Sequence, residues 1–267
     1  MAIRIISTLV ALPFLFFFVI MGGCYLQVAT TAVALIGMYE LYKAVSGKIK
    51  PIHFIGFIAM LIYGLVPHSI LYNYFYLITI VGILTILVML VFFYKTVNIN
   101  DGAITAFGFL YVGLLMYNIY FIRELPMGNV YVWLPFICAF GSDTGAYFVG
   151  VSVGKHKLAP VLSPKKSIEG SVGGVLTGCV LCGIFCFVAD KLGYVSYTYN
   201  EIVLFALFGG IAAAFSQLGD LAASSIKRFT GIKDYGKLMP GHGGVLDRFD
   251  SVLFTAPVIF LLVKYLI

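Results

Sequence analysis

A succession of apolar runs, each about long enough to cross a bilayer, leaves this chain little choice of fold. They fall near 4–22, 24–42, 74–94, 102–122, 130–150, 168–189, 202–220 and 251–266. Roughly 20 helical residues at about 1.5 Å each cover the hydrocarbon layer. A shorter run at 52–66 is bracketed by Pro51 and Pro67 and reads as a span or as a re-entrant or tilted segment. The alternating pattern of a membrane barrel is absent. With 61% hydrophobic and 10% charged residues, the chain does not suit a soluble globular domain. The expected fold is all-α, a polytopic transmembrane helical bundle of about nine spans.

Nine spans sort the cations of the loops onto two sides. One side carries Arg4, Lys43, Lys48, Lys50, Lys95, Lys155, Lys157, Lys165, Lys166, Lys227, Arg228, Lys233, Lys237 and Arg248; the other has only Arg123, Lys191 and Lys264. This bias predicts a cytoplasmic N-terminus and an external C-terminus. The first run reads as a span rather than a cleaved leader, because it is long for a leader's apolar region and Gly22-Gly23-Cys24 is a weak cleavage site. Residues 1–125 are expected to form a transmembrane scaffold of about five spans. Residues 126–267 are expected to form a C-terminal half with cytoplasmic loops 151–167 and 221–250, the half that holds the polar motifs below, the whole being one integrated membrane domain.

Cys179, Cys182 and Cys186 lie on roughly one face of the seventh span without histidine or acidic partners, so they read as small packing residues. Gly170, Gly174 and Gly178 form a doubled small-xxx-small pattern for close helix packing or for a homodimer. Intramembrane acids are different, since an Asp at the centre of a spanning helix costs about 3 kcal/mol to insert. Asp143, within Gly141-Ser142-Asp143-Thr144-Gly145, is read as a site residue or a structural hydrogen-bonding group. Asp220, Ser224 and Lys227 fall at i, i+4 and i+7, placing an acid, a hydroxyl and a cation on one helical face.

Two polar patches share the side rich in cations. In the first, Ser167 is positioned to cap a helix, and Lys165 and Lys166 stand just before its N-terminus, where amides and dipole favour an anion. Ordinary topology and attraction to acidic headgroups account for Lys155 and Lys157 equally well. The second patch, 224–250, combines Lys227, Arg228, Lys233, Lys237 and Arg248 with Asp234, Asp247, Asp250 and a Gly241-His242-Gly243-Gly244 turn. Exposed backbone amides, cations and carboxylates are the parts for gripping phosphates and a divalent metal. His242 reads as a donor to phosphate, an orienter of Asp247 or a turn residue. Lys233 and Asp234 would pair to shape the loop.

These residues carry a resemblance. Gly219-Asp220, Ser224-x-Ile226-Lys227-Arg228, Lys233-Asp234-x-Gly236 and Pro240-Gly241-His242-Gly243-Gly244-Val245-x-Asp247-Arg248-Phe249-Asp250 resemble the signature of the phosphatidate cytidylyltransferase (CDP-diacylglycerol synthase) family. Ser142-Asp143-Thr144-Gly145-Ala146-Tyr147-Phe148 and Ser163-Pro164-Lys165-Lys166-Ser167-x-Glu169-Gly170 are similar to two further blocks. Met239, Ser167, Val151 and Val153 depart from the usual residues, and none removes a ligand candidate.

The resemblance implies transfer of CMP from CTP to phosphatidic acid, giving CDP-diacylglycerol and pyrophosphate for phospholipid synthesis. It implies Asp220 and Asp247 as Mg²⁺ ligands, with room for a second cation and Asp250 as a ligand or its neighbour. Ser163, Lys165 and Lys166 would hold the triphosphate, and Lys227, Arg228 and Arg248 the phosphatidate or departing pyrophosphate. Asp143 and His242 belong to the reacting set; Glu169, Ser224, Lys233, Asp234, Gly243 and Gly244 would line the substrates. CTP, phosphatidic acid and membrane lipids are the expected partners, with no nucleic acid. The expected location is a prokaryotic cytoplasmic membrane, with the site facing the cytoplasm. A transporter is disfavoured because the acids lie toward one face without repeated halves. A nucleotide-dependent polyprenol or phytol kinase is the nearer rival.

Overall fold

The computed structural model describes residues 2–238, 241 and 243–266, and for 2–10, 68–69, 71–76, 78 and 266 the backbone alone. His242, Met239 and Pro240 therefore lie outside the described residues. The helices are α1 (Ala2–Met21), α2 (Gly23–Val45), α3 (His53–Leu65), α4 (His68–Phe92), α5 (Ile99–Gly108), α6 (Leu115–Glu124), α7 (Gly128–Tyr131) and α8 (Leu134–Val153). After two short strands, β1 (Lys157–Ala159) and β2 (Ser163–Ser167), come α9 (Ile168–Lys191), α10 (Tyr199–Thr230) and α11 (Leu246–Leu266). Among the described residues five helical stretches are long and apolar enough to cross a membrane: Gly23–Val45, Ile99–Glu124, Gly128–Val153, Ile168–Lys191 and Tyr199–Thr230.

Local chemistry explains the boundaries. Gly22 and Gly23 take φ of 62° and 48°, a left-handed turn that non-glycine residues rarely adopt, and it separates α1 from α2. The third apolar run gives α3, whose 13 residues span about 20 Å, short of the bilayer. Asn98 accepts the N–H of Asn100 at 2.8 Å and of Asp101 at 3.1 Å, while Asp101 accepts from Asn98 at 2.9 Å, a reciprocal cap that starts α5. The other Asp101 oxygen accepts the Lys50 N–H at 2.8 Å and so ties down the connection after α2. A π-helical segment, Phe109–Leu114, joins α5 to α6 within one span.

The chain divides into two compact units. The first comprises 1–117 and 230–248. Its centre is Tyr42, wholly buried, whose ring occupies the space a Cβ would need at Gly56 and at Gly108. The Tyr42 hydroxyl donates to the Thr105 carbonyl at 2.7 Å. Tyr117 and Thr31 both donate to the Gly64 carbonyl at 3.1 Å, which matters where no water can serve.

The second unit comprises 118–229 and 249–267. Here α9 packs through its small residues against α8 and, antiparallel, against α10. A Cβ on Gly174 would lie 2.7 Å from the Ser142 carbonyl and 2.8 Å from Gln217 Nε2, and one on Gly170 would lie 2.7 Å from the Ala146 carbonyl. Further along, Gly178 abuts Ala213, Gly209 abuts Cys182, and Gly183 faces Ala206. The glycine stripe expected to serve packing or dimerisation thus serves packing within the chain. The cysteines are free thiols, with Cys138, Cys182 and Cys186 buried, as small packing residues should be.

Two expected loops differ. Residues 151–167 contain an antiparallel ribbon in which Lys157 lies opposite Ser167 and Ala159 opposite Ser163. Residues 221–230 are the last turns of α10, because Leu221-Ala222-Ala223 and Ile226 extend the helix without a breaker before Gly231.

Adding one methyl at the crowded Gly178 is expected to lower stability by about 1–3 kcal/mol. Thermal unfolding in detergent checks this, comparing Gly178→Ala with Gly82→Ala, whose new Cβ meets no atom within 4 Å and should leave the midpoint within about a degree or two.

Candidate active site

In the first unit the glycine-rich segment 231–245 is held by two carboxylates. Asp247, buried in the first turn of α11, accepts through Oδ2 the N–H of Tyr235 at 2.8 Å and of Gly244 at 3.0 Å. Gly243 takes φ of 88°, and a Cβ there would lie 3.0 Å from that same oxygen. Gly243 and Gly244 of the expected phosphate-gripping turn thus sit directly on Asp247. The second carboxylate is Glu40 of α2, which accepts from Val245 N at 3.0 Å and Leu246 N at 2.8 Å. Lys233, Asp234, Lys237 and Arg248 are exposed. Among the described residues Lys233 and Asp234 form no ion pair with one another; these sequence neighbours in an irregular segment hold separate positions.

In the second unit, α10 does place Asp220, Ser224 and Lys227 on successive turns of one continuous helix. Asp220, half-buried, makes an ion pair with Lys166 of β2. Buried Asp250 in α11 accepts the Ser251 N–H at 2.8 Å. Asp220 and Asp143 act on Asp250 with like charge and Lys227 with opposite charge. Asp143 of α8 accepts from the Ser251 hydroxyl at 3.5 Å. Three carboxylates and two lysines from β2, α8, α10 and α11 therefore share one neighbourhood. Gly219 permits it: a Cβ there would lie 2.5 Å from the Asp250 carbonyl and 3.0 Å from the Phe254 ring.

The ribbon brings its own anchors. Ser167 accepts the Gly170 N–H at 3.1 Å and so caps α9. Arg228 Nε donates to the Leu162 carbonyl at 3.4 Å, linking α10 to the ribbon tip. Glu169, expected to line substrate, receives the backbone N–H of Lys155 at 3.1 Å and of His156 at 3.2 Å, and its other oxygen lies 2.6 Å from His156 Nδ1. Its carboxylate closes the base of the ribbon. Ser163 is half-buried and Lys165 exposed on β2.

Acids, lysines and glycine-held amides at helix ends are suited to phosphate chemistry, and the comparisons decide which kind. Residues 2–266 match the model of the cytidylyltransferase family. The chain belongs to the cytidylyltransferase family. It is similar to a protein named phosphatidate cytidylyltransferase from Bacillus subtilis (strain 168), 32% identical over 267 residues, covering 97% of this chain and 96% of the relative. Proteins of the same name from Staphylococcus haemolyticus (strain JCSC1435) and Staphylococcus aureus (strain COL) are 33% and 32% identical, each match covering 98% of both chains.

Two residues of this cytidylyltransferase were not singled out in its sequence. Glu40 is an acid inside an apolar span, so the rule that flagged Asp143 applies to it equally. Gln217 joins α8, α9 and α10, donating to Ser142 Oγ at 3.2 Å and to the Ser171 carbonyl at 2.9 Å while accepting from the Ser171 hydroxyl. No signal in the chain pairs these three positions, but a glutamine one turn before Asp220 in an apolar helix marks itself as needing partners.

Removing the Glu169 carboxylate should free the ribbon base, since both backbone N–H groups and the imidazole lose their acceptor. Limited trypsin digestion of Glu169→Ala is expected to cut after Lys155 or Lys157 about tenfold faster than the wild type, the loss of charged hydrogen bonds favouring local opening.

Proposed function

We infer that this membrane protein is an enzyme that transfers CMP from CTP to phosphatidic acid, giving CDP-diacylglycerol and pyrophosphate. The observation that carries this is similarity over almost the whole chain to relatives named for that reaction. A phosphatidate oxygen, already anionic near neutral pH, forms a bond to the α-phosphorus of CTP; the bond from that phosphorus to the bridging oxygen breaks, and pyrophosphate leaves with the electron pair. No general base is needed. The demand is to bring two polyanions together and stabilise charge on the leaving group.

Lys166, Lys165 and Ser163 suit the triphosphate, and Lys227, Arg228 and Arg248 the phosphatidate or pyrophosphate. Asp143, Glu169, Asp250, Ser224, Lys233, Asp234, His242, Gly243 and Gly244 complete the proposed set. Among the described residues no group of three His, Cys, Asp or Glu side chains is close enough to hold a metal ion. Mg²⁺ keeps waters and takes one or two carboxylates together with substrate phosphates. Asp220 and Asp247 are the proposed protein ligands, with a second cation accommodated between phosphates. A bound Mg²⁺ supplies charge neutralisation at the phosphates.

The proposed topology has about nine crossings, the short α3 counted as one that the bilayer meets by thinning locally, with the N-terminus in the cytoplasm and the site at the cytoplasmic face of a bacterial inner membrane, where CTP is available. Acyl chains stay in the bilayer while the headgroup reaches the polar residues. A homodimer would use a face other than the glycine stripe of α9.

The test is a mixed-micelle assay with phosphatidic acid, α-labelled CTP and Mg²⁺, following label into the organic phase. Metal-dependent labelled lipid is expected and a chelator should abolish it; a folded enzyme that labels no lipid sinks the reading. Asp247→Asn should lower turnover by ~10²-fold or more, beyond what loss of an outer-shell metal partner costs, with the unfolding midpoint preserved. Near-normal turnover would remove Asp247 from the ligands.

A further inference from the structure

Glu40 stands apart from the reaction chemistry described above, yet it holds the backbone at the head of α11. It is 4% exposed, the one acid of the mostly apolar α2, and a buried carboxylate persists only where its oxygens find donors. Those donors come from the opposite end of the chain. Oε1 accepts the Val245 N–H at 3.0 Å and Oε2 the Leu246 N–H at 2.8 Å. The first N–H groups of a helix have no partner within it, so one side chain of α2 caps α11 and sets a negative charge against its dipole. Space is kept for it: a Cβ on Gly236 or on Gly244 would collide with the Glu40 carboxylate.

Asp247 and Arg248 leave α11 one and two residues after the amide that Glu40 holds. Asp247 in turn fixes Tyr235 and Gly244. Glu40 and Asp247 thus clamp consecutive parts of one segment, and the direction in which Asp247 and Arg248 project depends on where the first turn of α11 is fastened.

We propose that Glu40 is a positioning residue for cytidylyl transfer, fastening the first turn of α11 and thereby aiming Asp247 and Arg248. The role rests on the reaction proposed above. Glu40→Gln is the informative variant, because it keeps the shape but sets an NH₂ group opposite one of the two amides.

The experiment uses the full chain in detergent micelles with two measurements: amide hydrogen exchange over 243–248, and kcat and KM for CTP per folded protein in the labelled-lipid assay. In Glu40→Gln, exchange at Val245 and Leu246 is expected to quicken about tenfold or more as a charged acceptor is lost. Turnover per folded molecule should fall roughly ten- to a hundredfold, the usual cost of misplaced groups, while KM for CTP stays within about twofold. A purely structural acid would lower the unfolding midpoint without changing kcat per folded molecule, and that result overturns the proposal. Unchanged exchange overturns it too, as does a rise in KM that accounts for the whole loss. Should Glu40→Gln not fold, Glu40→Asp keeps the charge one methylene short; a smaller loss with the same split supports the role, and wild-type kcat with faster exchange sinks it. A wild-type chain that forms no labelled lipid overturns the underlying reaction instead, before any variant is compared.

Discussion

A polar group in hydrocarbon has no water to turn to, and this chain answers that constraint by bringing backbones close enough to satisfy one another's side chains. Glycine makes the approach possible. Where α9 meets α8 and α10, missing side chains let Gln217 reach Ser142 and Ser171. Where α2 meets α3, they let Thr31 reach the Gly64 carbonyl. The close contacts add dispersion energy, but their larger effect is to permit buried hydrogen bonds that would be costly to leave unmade. The chemistry is mounted on this framework: Asp220 follows Gly219 on α10, and Asp247 follows Gly243 and Gly244 at the start of α11.

The charged groups are already partly engaged without any ligand. Lys166 pairs with Asp220, Asp250 lies in the field of two acids and one lysine, and Asp247 spends one oxygen on backbone amides. Such arrangements limit the cost of keeping charge at a partly buried site. They also keep these side chains from collapsing onto the surface. A reaction between two polyanions needs that kind of order, because its barrier is set by charge placement rather than by making a nucleophile.

Much of this was legible in the sequence, for stated reasons. Apolar runs predict helices because hydrocarbon leaves the backbone no other open-ended option, and among the described residues five helical stretches are long and apolar enough to cross. Ser167 signals its cap through Gly170 and the turn before it. The periodicity of Asp220, Ser224 and Lys227 holds because α10 runs unbroken to Thr230. The ribbon of 157–167 was not legible, since strands of three and five residues carry no alternation to detect. Nor were the partners of Glu169 legible, amides 13 and 14 residues back that only the ribbon brings to its carboxylate. Glu40 was hidden by distance, its amides lying 205 and 206 residues further on.

The meeting of α9 and α10 has a mechanical consequence. Gly174 faces Gln217, Gly178 faces Ala213 and Cys182 faces Gly209, so small and larger groups alternate along the seam. Sliding α10 by one turn in one direction would drive Gln217 into Gly178, and in the other would bring Phe205 onto Cys182. Interlocked in this way, the two helices behave as a ratchet with its pawl down. The height of Asp220 on α10 is then fixed against Ser167 and Lys166 at the head of α9, so a turnover has to be accomplished by side chains and ligands moving while the seam stands still.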